Sequence, residues 1–341
     1  MYIKQLYTNC LSEAAYYIES DGEAAVIDPL RDIDSYIELA KERNTVIKYI
    51  FETHFHADFI SGHLNLSALT GAPIIFGPEA VTNFTSIKAK DGQYFQLGKI
   101  SFEVLHTPGH TLESSCYLLR DESNNPHAIF TGDTLFVGDV GRPDLSSGNM
   151  TSEELAGIMY DTLQNKILPL PDHLLVYPAH GPGSSCGKNL GPNTSSTMAE
   201  EKRTNYALQS QSKEQFIEAV TKGLNAAPRY FAINARINQQ GYDDMSVLKN
   251  RAHKALSIAE FKEHMKTDAI ILDTRNATEF TQGFITGSIF IGLEGRFAEW
   301  AGSLLPFDKP FILVTPNGKE EETIIRLSRV GFDKMMGYLD G

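Results

Sequence analysis

Apolar residues along the first 190 positions form short runs separated by polar stretches, and the two kinds of segment predict different elements. β-Branched and aromatic residues dominate the runs, which is typical of strands bounded by turns. The polar stretches carry apolar residues at helical spacing, and Thr151 offers an N-cap to one of them. The predicted strands lie at 24–29, 46–51, 100–105, 116–119 and 128–130, and the predicted helices at 33–43 and 151–166. This mixture indicates layers of helix and sheet.

The pattern of apolar and polar residues changes at about Leu256. Ser257 is a candidate N-cap, and the apolar segments 269–273 and 311–314 predict buried strands, the second followed by a helical stretch at 319–330. Alternation of strand and helix is typical of a small parallel α/β domain. Because 341 residues exceed the size of one ordinary core, we expect two domains with a boundary near 245–255.

Charge and composition narrow the classes of partner. The formal net charge is −13, and no local cluster of lysine and arginine reverses it, which argues against a nucleic-acid surface. The sequence has neither an apolar run long enough to span a membrane nor an N-terminal secretory signal. Its three cysteines are too few for a secreted disulfide framework. We therefore expect a cytoplasmic protein without a nucleic-acid or membrane partner.

Histidine and aspartate residues gather directly after a predicted strand. His54, His56 and Asp58 follow the run at 46–51, and strand alternation would direct all three side chains to one side. Burying them together in an apolar environment is costly unless a cation balances them. These residues therefore predict a metal site. Further candidate ligands follow along the chain, most of them in glycine-containing turns: His63, His110, Asp133 and His180.

The order H-x-H-x-D, then His, Asp and His, resembles the motif order of the metallo-β-lactamase superfamily. The resemblance covers roughly residues 1–240. It implies an α+β fold, an αββα sandwich with the metal site at one edge, and we assign this domain to residues 1–245. The reaction class does not follow, because the same scaffold hosts hydrolases, oxidoreductases and nucleases.

One departure from the superfamily pattern concerns the number of metal ions. Glyoxalase II-like and many other dizinc members carry a histidine directly after the aspartate, where this chain has Phe59. The loss of that ligand favours a mononuclear centre. The remaining set can supply His54, His110 and Asp133, which is the two-histidine, one-carboxylate composition of non-haem Fe(II) oxygenases. We expect one Fe(II) per chain, with zinc as the alternative.

The sequence segments around these ligands resemble those of persulfide dioxygenases. The matching stretches are 9–11, 27–29, 53–58, 106–111, 132–136, 141–144 and 177–181. The resemblance implies oxidation of a low-molecular-weight persulfide, such as glutathione persulfide, by O₂ to sulfite and the free thiol. It assigns the iron to His54, His110 and Asp133. It leaves His56, Asp58 and His180 to order those ligands or to form a second metal site.

Three further residues are candidates for contact with the substrate. Arg142 could pair with a carboxylate of the thiol carrier, or form a structural ion pair with Asp139 or Asp144. Thr111 could bind near the metal or cap a turn. Cys186, in a glycine-rich turn, could carry a persulfide if it is exposed and its pKa is lowered; otherwise it is a small turn residue.

Residues 256–341 resemble a rhodanese domain through Leu272–Arg275, Glu279–Phe280 and Gly283–Ile289. Alignment on Gly318 places Thr315 where rhodaneses carry their catalytic cysteine. A hydroxyl there cannot replace a thiolate, so we expect an inert domain that lacks the catalytic cysteine. The chain resembles fusions of a persulfide dioxygenase with two rhodanese modules, of which the first is degenerate. Whether a second module follows residue 341 is left open.

Two rival functions remain after these comparisons of motifs. A glyoxalase II-like zinc thioesterase would use a metal-bound hydroxide on a thioester, although Phe59 counts against it. A sulfur-responsive scaffold would dock a partner through the inert rhodanese domain. The expected partners of the enzyme are a small-molecule thiol persulfide and O₂. The sequence leaves the identity of the thiol carrier, and a homo-oligomeric state, open.

Overall fold

The computed structural model describes residues 1–145, 150–209 and 211–340. Within them, two six-stranded sheets face each other between outer helices, and a five-stranded sheet follows in the C-terminal part. The first two sheets form the αββα sandwich and confirm the predicted α+β class. None of the described helices has the length and apolar character needed to cross a bilayer.

The first sheet begins with an antiparallel hairpin and continues in parallel strands. β1 pairs with β2 and β2 with β3 in antiparallel register, and β3 to β6 are then parallel neighbours. Its strands are β1 Tyr2–Thr8, β2 Glu13–Ser20, β3 Glu23–Ile27, β4 Val46–Phe51, β5 Ile74–Phe76 and β6 Ile87–Lys88. The parallel strands bring their carboxyl ends to one edge of the sheet.

The second sheet is mostly antiparallel, with one parallel pair between β10 and β11. Its strands are β7 Tyr94–Leu97, β8 Ile100–His106, β9 Ser115–Arg120, β10 Pro126–Gly132, β11 Leu175–Pro178 and β12 Ser196–Thr197. Because β10 and β11 are parallel, the loops that leave their carboxyl ends also lie at one edge.

The third sheet is parallel throughout its described pairs, in the order β13-β17-β16-β14-β15. Its strands are β13 Ala255–Leu256, β14 Ile270–Asp273, β15 Ile289–Phe290, β16 Phe311–Val314 and β17 Met335–Leu339. This order confirms the predicted small parallel α/β unit, including its two buried strands β14 and β16.

The helices begin at recognisable N-caps in several places. Thr151 and Ser257, both predicted as caps, each form a capping box with the glutamate three residues later. The helices are α1 Asp34–Glu42, α2 His63–Thr70, α3 Ser152–Thr162, α4 Met198–Thr204, α5 Lys213–Thr221, α6 Phe231–Gln240, α7 Met245–Ala252, α8 Ile258–His264, α9 Ala277–Gln282, α10 Phe297–Leu304 and α11 Glu320–Ser328. A π-helical turn, Leu163–Ile167, extends α3.

Both faces of β2 are buried, which explains how one strand joins two cores. Ala14, Tyr16 and Ile18 point into the core between the two sheets, whereas Ala15 and Tyr17 belong to the core under α1 and α2. Alternate residues of a strand face opposite sides of the sheet, so a strand between two apolar layers carries apolar residues throughout. The sequence prediction missed β2 because it lacks the apolar and polar alternation of a half-buried strand.

The N-terminal sandwich and the C-terminal unit share a hydrophobic core and buried ion pairs. Phe59 and Phe136 pack in the same cluster as Phe297 and Ala301. Arg31, fully buried, forms a bidentate pair with Asp333. The segment predicted as the boundary is itself helical, because α7 occupies 245–252 and contacts both β17 and α11. The two parts therefore pack as one body rather than as units joined by an exposed linker.

Candidate metal centre

Four loops that leave strand ends converge between the two sheets of the sandwich. The loop after β4 carries His54, and the loop between β8 and β9 carries His110. Asp133 follows β10 directly, and His180 lies two residues beyond β11. All four side chains are at most 2% exposed. The structure thus brings together residues that the sequence separates by more than a hundred positions.

Three of the histidines face inward through Nε2 because an oxygen occupies their Nδ1. The carbonyl groups opposite His110 and His180 can only accept, so Nδ1 of each ring donates and the lone pair lies on Nε2. Thr53 Oγ1 likewise lies at Nδ1 of His54, which leaves Nε2 of that ring facing inward. The Nδ1 distances are 2.9 Å from His54 to Thr53 Oγ1, 2.8 Å from His110 to the Arg142 carbonyl and 3.1 Å from His180 to the Ser12 carbonyl.

Asp133 lies at the point where these lone pairs meet. Its Oδ2 is 3.8 Å from His54 Nε2 and 3.5 Å from His110 Nε2, and its Oδ1 is 3.5 Å from His180 Nε2. Neither carboxylate oxygen receives a hydrogen bond from a described residue. Acceptors that face one another without a proton between them repel, and a cation would reverse that repulsion. The donor atoms of His54, His110 and Asp133 lie within 4.8 Å of one another, so these residues fit a metal ion.

The protonation states agree with a metal-ligating role. Burial lowers the pKa of His54 well below its usual value and lowers the pKa of His110, so both rings are neutral near pH 7 and can offer a lone pair. Burial raises the pKa of Asp133 to about 6 in the metal-free protein. A bound cation would favour the ionised carboxylate and lower that pKa again.

A second group of possible ligands lies beside the first. Asp58, His180 and Cys186 also bring one donor atom each within 4.8 Å of one another, with His180 Nε2 at 3.4 Å from Asp58 Oδ2. Phe59, by contrast, is fully buried and stacks on His56 at a centroid distance of 4.3 Å. The sequence analysis missed the proximity of Cys186, since nothing in its glycine-rich turn indicates where the turn folds back.

His56 turns away from Asp133 toward two other acids. Its Nε2 lies 3.1 Å from Asp28 Oδ1 and 3.4 Å from Glu52 Oε2. Although burial opposes it, these two carboxylates raise the pKa of His56 well above its usual value. Asp28 also accepts hydrogen bonds from the amide and hydroxyl of Thr53, at 2.7 and 2.8 Å. His56 thus acts on His54 through Asp28 and Thr53.

His63 and Glu13 complete this buried polar layer. His63 Nδ1 lies 3.3 Å from Glu52 Oε1, on the side away from Asp133. Glu13 is fully buried with neither carboxylate oxygen paired to a described residue, and burial raises its pKa well above the usual value. Glu13 and Glu52 were not predicted as parts of the site. The only local signal is an acid directly at the end of an apolar run, at the start of β2 for Glu13 and just after β4 for Glu52.

The structure places Arg142 in an ion pair, which was the alternative to a contact with substrate. Its side chain is 5% exposed and donates from Nε and Nη2 to Asp144, at 3.0 and 2.8 Å. Further bonds reach the carbonyls of Ser185 and Asn225. These contacts match the alternative prediction, a structural ion pair. The carbonyl of Arg142 positions His110, so the residue supports the centre through its backbone.

Thr111 and Cys186 also lie in environments that differ from the proposed substrate roles. The Thr111 hydroxyl lies 2.7 Å from Ser114 Oγ and Thr111 N donates to the same oxygen, which are contacts within one turn. Cys186 is 2% exposed, and burial raises its pKa well above the usual value. Persulfide transfer was expected only from an exposed thiol of lowered pKa, and Cys186 meets neither condition.

Thr315 follows β16 at the start of the loop that the rhodanese comparison identified. Glu320 extends into this loop, where its Oε1 accepts a hydrogen bond from Gly318 N at 3.0 Å and lies 3.5 Å from the Thr315 hydroxyl. A carboxylate therefore occupies amide donors that could otherwise bind an anion. This contact agrees with the prediction of an inert loop, which remains a prediction.

Models of known protein families match both parts of the chain. Residues 8–180 match the model of the metallo-beta-lactamase superfamily, and residues 257–341 match that of the rhodanese-like domain. A hydroxyacylglutathione hydrolase of Francisella tularensis subsp. novicida is 34% identical over 182 residues, which is 53% of this chain and 68% of the relative. The mitochondrial persulfide dioxygenase ETHE1 of Bos taurus is 32% identical over 206 residues, 59% of this chain and 72% of the relative.

A solved structure matches both parts together. The crystal structure of a metallo-beta-lactamase from Staphylococcus aureus subsp. aureus COL superposes with a TM-score of 0.87 at 33% identity, covering 99% of this chain and 98% of that one. The αββα sandwich, the convergent candidate ligands and these matches all indicate the same family. The chain belongs to the metallo-β-lactamase superfamily, with a rhodanese-like domain at its C-terminal end.

Proposed function

We propose that the chain is a persulfide dioxygenase that uses one non-haem Fe(II), held by His54, His110 and Asp133. It would oxidise a low-molecular-weight thiol persulfide with one O₂ and one water to sulfite and the free thiol. The observation that carries the proposal is the ligand set, two neutral imidazoles and one unpaired carboxylate facing one point. Iron in such a set supplies open positions for O₂ and substrate and the electrons that activate O₂.

The protein's own residues would orient the ligands and exclude water. The carbonyl of Arg142 fixes the ring of His110, and Thr53 fixes that of His54. Asp28, Glu52 and His56 lie beneath them and are fully buried, with His56 Nε2 at 3.1 and 3.4 Å from the two carboxylates, so this layer would help to keep the ligand rings in place. The similarity to the persulfide dioxygenase ETHE1 of Bos taurus supports the same assignment.

A second candidate, a zinc thioesterase, has one specific observation in its favour. Asp58, His180 and Cys186 could hold a second ion next to the first, despite the loss of the ligand at Phe59. Several curated relatives are hydroxyacylglutathione hydrolases at 32–35% identity. A dinuclear zinc centre would activate a water for attack on a thioester.

Metal content and substrate turnover separate the two candidates. Protein purified without oxygen from cells supplied with both metals should contain about one iron per chain. It should consume O₂ with glutathione persulfide and leave a hydroxyacyl thioester of glutathione intact. Two zinc ions per chain together with thioester hydrolysis would reject the proposal in favour of the thioesterase.

A variant at Phe59 sharpens that experiment. Phe59→His restores the missing ligand type next to Asp58, whereas Phe59→Leu makes a comparable change in the core without a ligand atom. We expect metal content to rise above one ion per chain only in Phe59→His. If the wild type and Phe59→Leu already bind two ions, the mononuclear assignment is wrong.

A further inference from the structure

A pocket lies between the sandwich and the rhodanese-like domain, and both contribute to its lining. The pocket, about 230 Å³, is lined from the sandwich side by Ser185 and Tyr230 and from α10 and the residue before it by Arg296, Glu299 and Trp300. The two sides are packed tightly, because a Cβ on Gly302 of α10 would lie 2.7 Å from the ring of Tyr230. The pocket is therefore a fixed feature of the domain interface.

This pocket adjoins the candidate metal centre. Ser185 precedes Cys186, whose sulfur belongs to the group with Asp58 and His180. Tyr230 packs in the same buried cluster as Cys186 and Phe59. A molecule whose reactive end reaches the centre could extend its other end into the pocket.

The pocket carries the chemistry that an anionic carrier would require. The chain has a net charge of −13, so an anionic substrate needs a local cation. Arg142 cannot serve, because it is buried in its pair with Asp144. Arg296 lines the pocket with its side chain 49% exposed, although it also pairs with Glu299. Beside it Trp300, the single tryptophan of the sequence, is 59% exposed.

We propose that this interdomain pocket binds the unreactive, anionic part of the thiol carrier, with Arg296 as its cationic contact and Trp300 as its apolar contact. The domain predicted to be inert in sulfur transfer would then contribute to substrate binding. The anion is a carboxylate in a glutathione-type carrier and a phosphate in a coenzyme A-type carrier, and an arginine binds either. The inference rests on the proposed function only in assuming a thiol-carrier substrate.

Trp300 supplies a direct measurement of binding, because its fluorescence comes from the pocket alone. Glutathione and coenzyme A, the unreactive free thiols, are titrated into the full-length metal-loaded protein. We expect a saturable change in tryptophan fluorescence with at least one of them. Arg296→Ala should raise the dissociation constant at least about tenfold, the loss expected for a charge-assisted hydrogen bond. Arg296→Lys should retain part of the affinity. A response to glutathione alone identifies carboxylate recognition, and a response to coenzyme A alone identifies phosphate recognition.

Matched controls test whether the effect belongs to the pocket. Lys262→Ala removes an exposed cation from α8, and Leu304→Ala removes an exposed apolar side chain from α10; neither residue lines the pocket. Both variants should bind the carriers as the wild type does. Trp300→Ala, followed by calorimetry because the fluorescence signal is lost, should weaken binding. No saturable response to either carrier, or an unchanged dissociation constant in Arg296→Ala, would overturn the proposal.

Turnover measurements keep this proposal separable from the proposed function. With the persulfide of the carrier that binds, Arg296→Ala should raise KM and leave kcat unchanged, since the contact is remote from the reacting sulfur. Cysteine persulfide, which lacks the remaining part of the larger carriers, should show no such rise. If the carriers bind at Trp300 but no persulfide drives O₂ uptake, the oxidative function fails and the pocket stands. If O₂ uptake is normal and Trp300 does not respond, the pocket alone fails.

Discussion

The loop after β10 and the loop after β16 both leave the carboxyl end of a parallel strand, yet their polar groups are in opposite states. After β10, Asp133 is buried with both oxygens unpaired among the described residues, and three imidazole nitrogens face it. After β16, the loop satisfies its own groups, since Glu320 accepts from Gly318 N and lies beside the Thr315 hydroxyl. One loop presents unpaired groups that fit a cation, and the other is filled by its own side chain.

The difference shows how a candidate ligand loop can be told from a loop that is predicted to be inert, without reference to motifs. Leaving buried acceptors unpaired costs free energy, so several of them facing one point indicate a ligand that restores the balance, whereas a lone carboxyl such as Glu13 can be kept by protonation. A loop that pairs its own donors has no such requirement. The same criterion separates Asp133, a candidate ligand, from Arg142, whose guanidinium is already engaged. Each prediction below alters one side of this comparison.

The largest effect is expected at Asp133. Asp133→Ala removes the carboxylate that all three imidazoles face, and bound metal should fall below about a tenth of the wild-type content. Metal analysis together with circular dichroism measures the loss and checks that the fold is retained. Asp172→Ala, which removes an exposed acid paired with Lys202, is the control and should keep its metal. Retention of metal by Asp133→Ala would show that the loop after β10 does not supply a metal ligand through Asp133.

Proton competition gives the next largest effect. A cation binds the ionised form of Asp133, whose pKa burial raises to about 6 in the metal-free protein, whereas the lowered pKa values of His54 and His110 keep those rings neutral. The apparent metal affinity should therefore be steady above pH 6 and fall about tenfold per pH unit below it. Competition with a chelator of known pH dependence measures this slope. A constant affinity between pH 6 and pH 4.5 would contradict the role of Asp133.

A smaller effect, on stability, is expected at Arg142. Arg142→Ala leaves Asp144 without its partner and removes the donor to the carbonyls of Ser185 and Asn225, which should lower the free energy of unfolding by about 1.5–3 kcal/mol. Urea denaturation measures the change. Arg203→Ala, which breaks an exposed pair with Glu200, should change it by less than about 0.5 kcal/mol. If Arg142→Ala instead raised KM at unchanged stability, the earlier expectation of substrate binding would be restored.

The smallest effect is expected at Thr315, where we predict none. The full-length protein should produce no thiocyanate from thiosulfate and cyanide, because Thr315 cannot form a persulfide and Glu320 occupies the loop. Thr315→Ala should therefore match the wild type in this assay and in persulfide oxidation. Cys186→Ser is the control for the thiol of Cys186, which lies in a candidate metal group. Thiocyanate formation that persists in Cys186→Ser but disappears in Thr315→Ala would show that the loop is active.

The sequence alone determined the fold class and the composition of the candidate centre. Strand ends are local features, so His54 and Asp133 could be placed beside strands before any tertiary contact was known. The parallel C-terminal unit followed from the apolar runs at β14 and β16 for the same reason. The role assigned to Thr315 followed from the resemblance to rhodanese domains, by alignment on Gly318. The strand and helix predictions needed only neighbouring residues.

Only the tertiary structure decided which polar groups are free and which are engaged. His56 alternates with His54 yet faces Asp28, which lies on a neighbouring strand end. Arg142 reaches the carbonyl of Asn225, 83 positions away, and Arg31 reaches Asp333, 302 positions away. The burial of Cys186 and the pocket at Arg296 likewise arise where the two domains meet. A side chain's partner depends on which surfaces pack together, and a periodic pattern fixes the face a residue occupies but not the group that will lie opposite it.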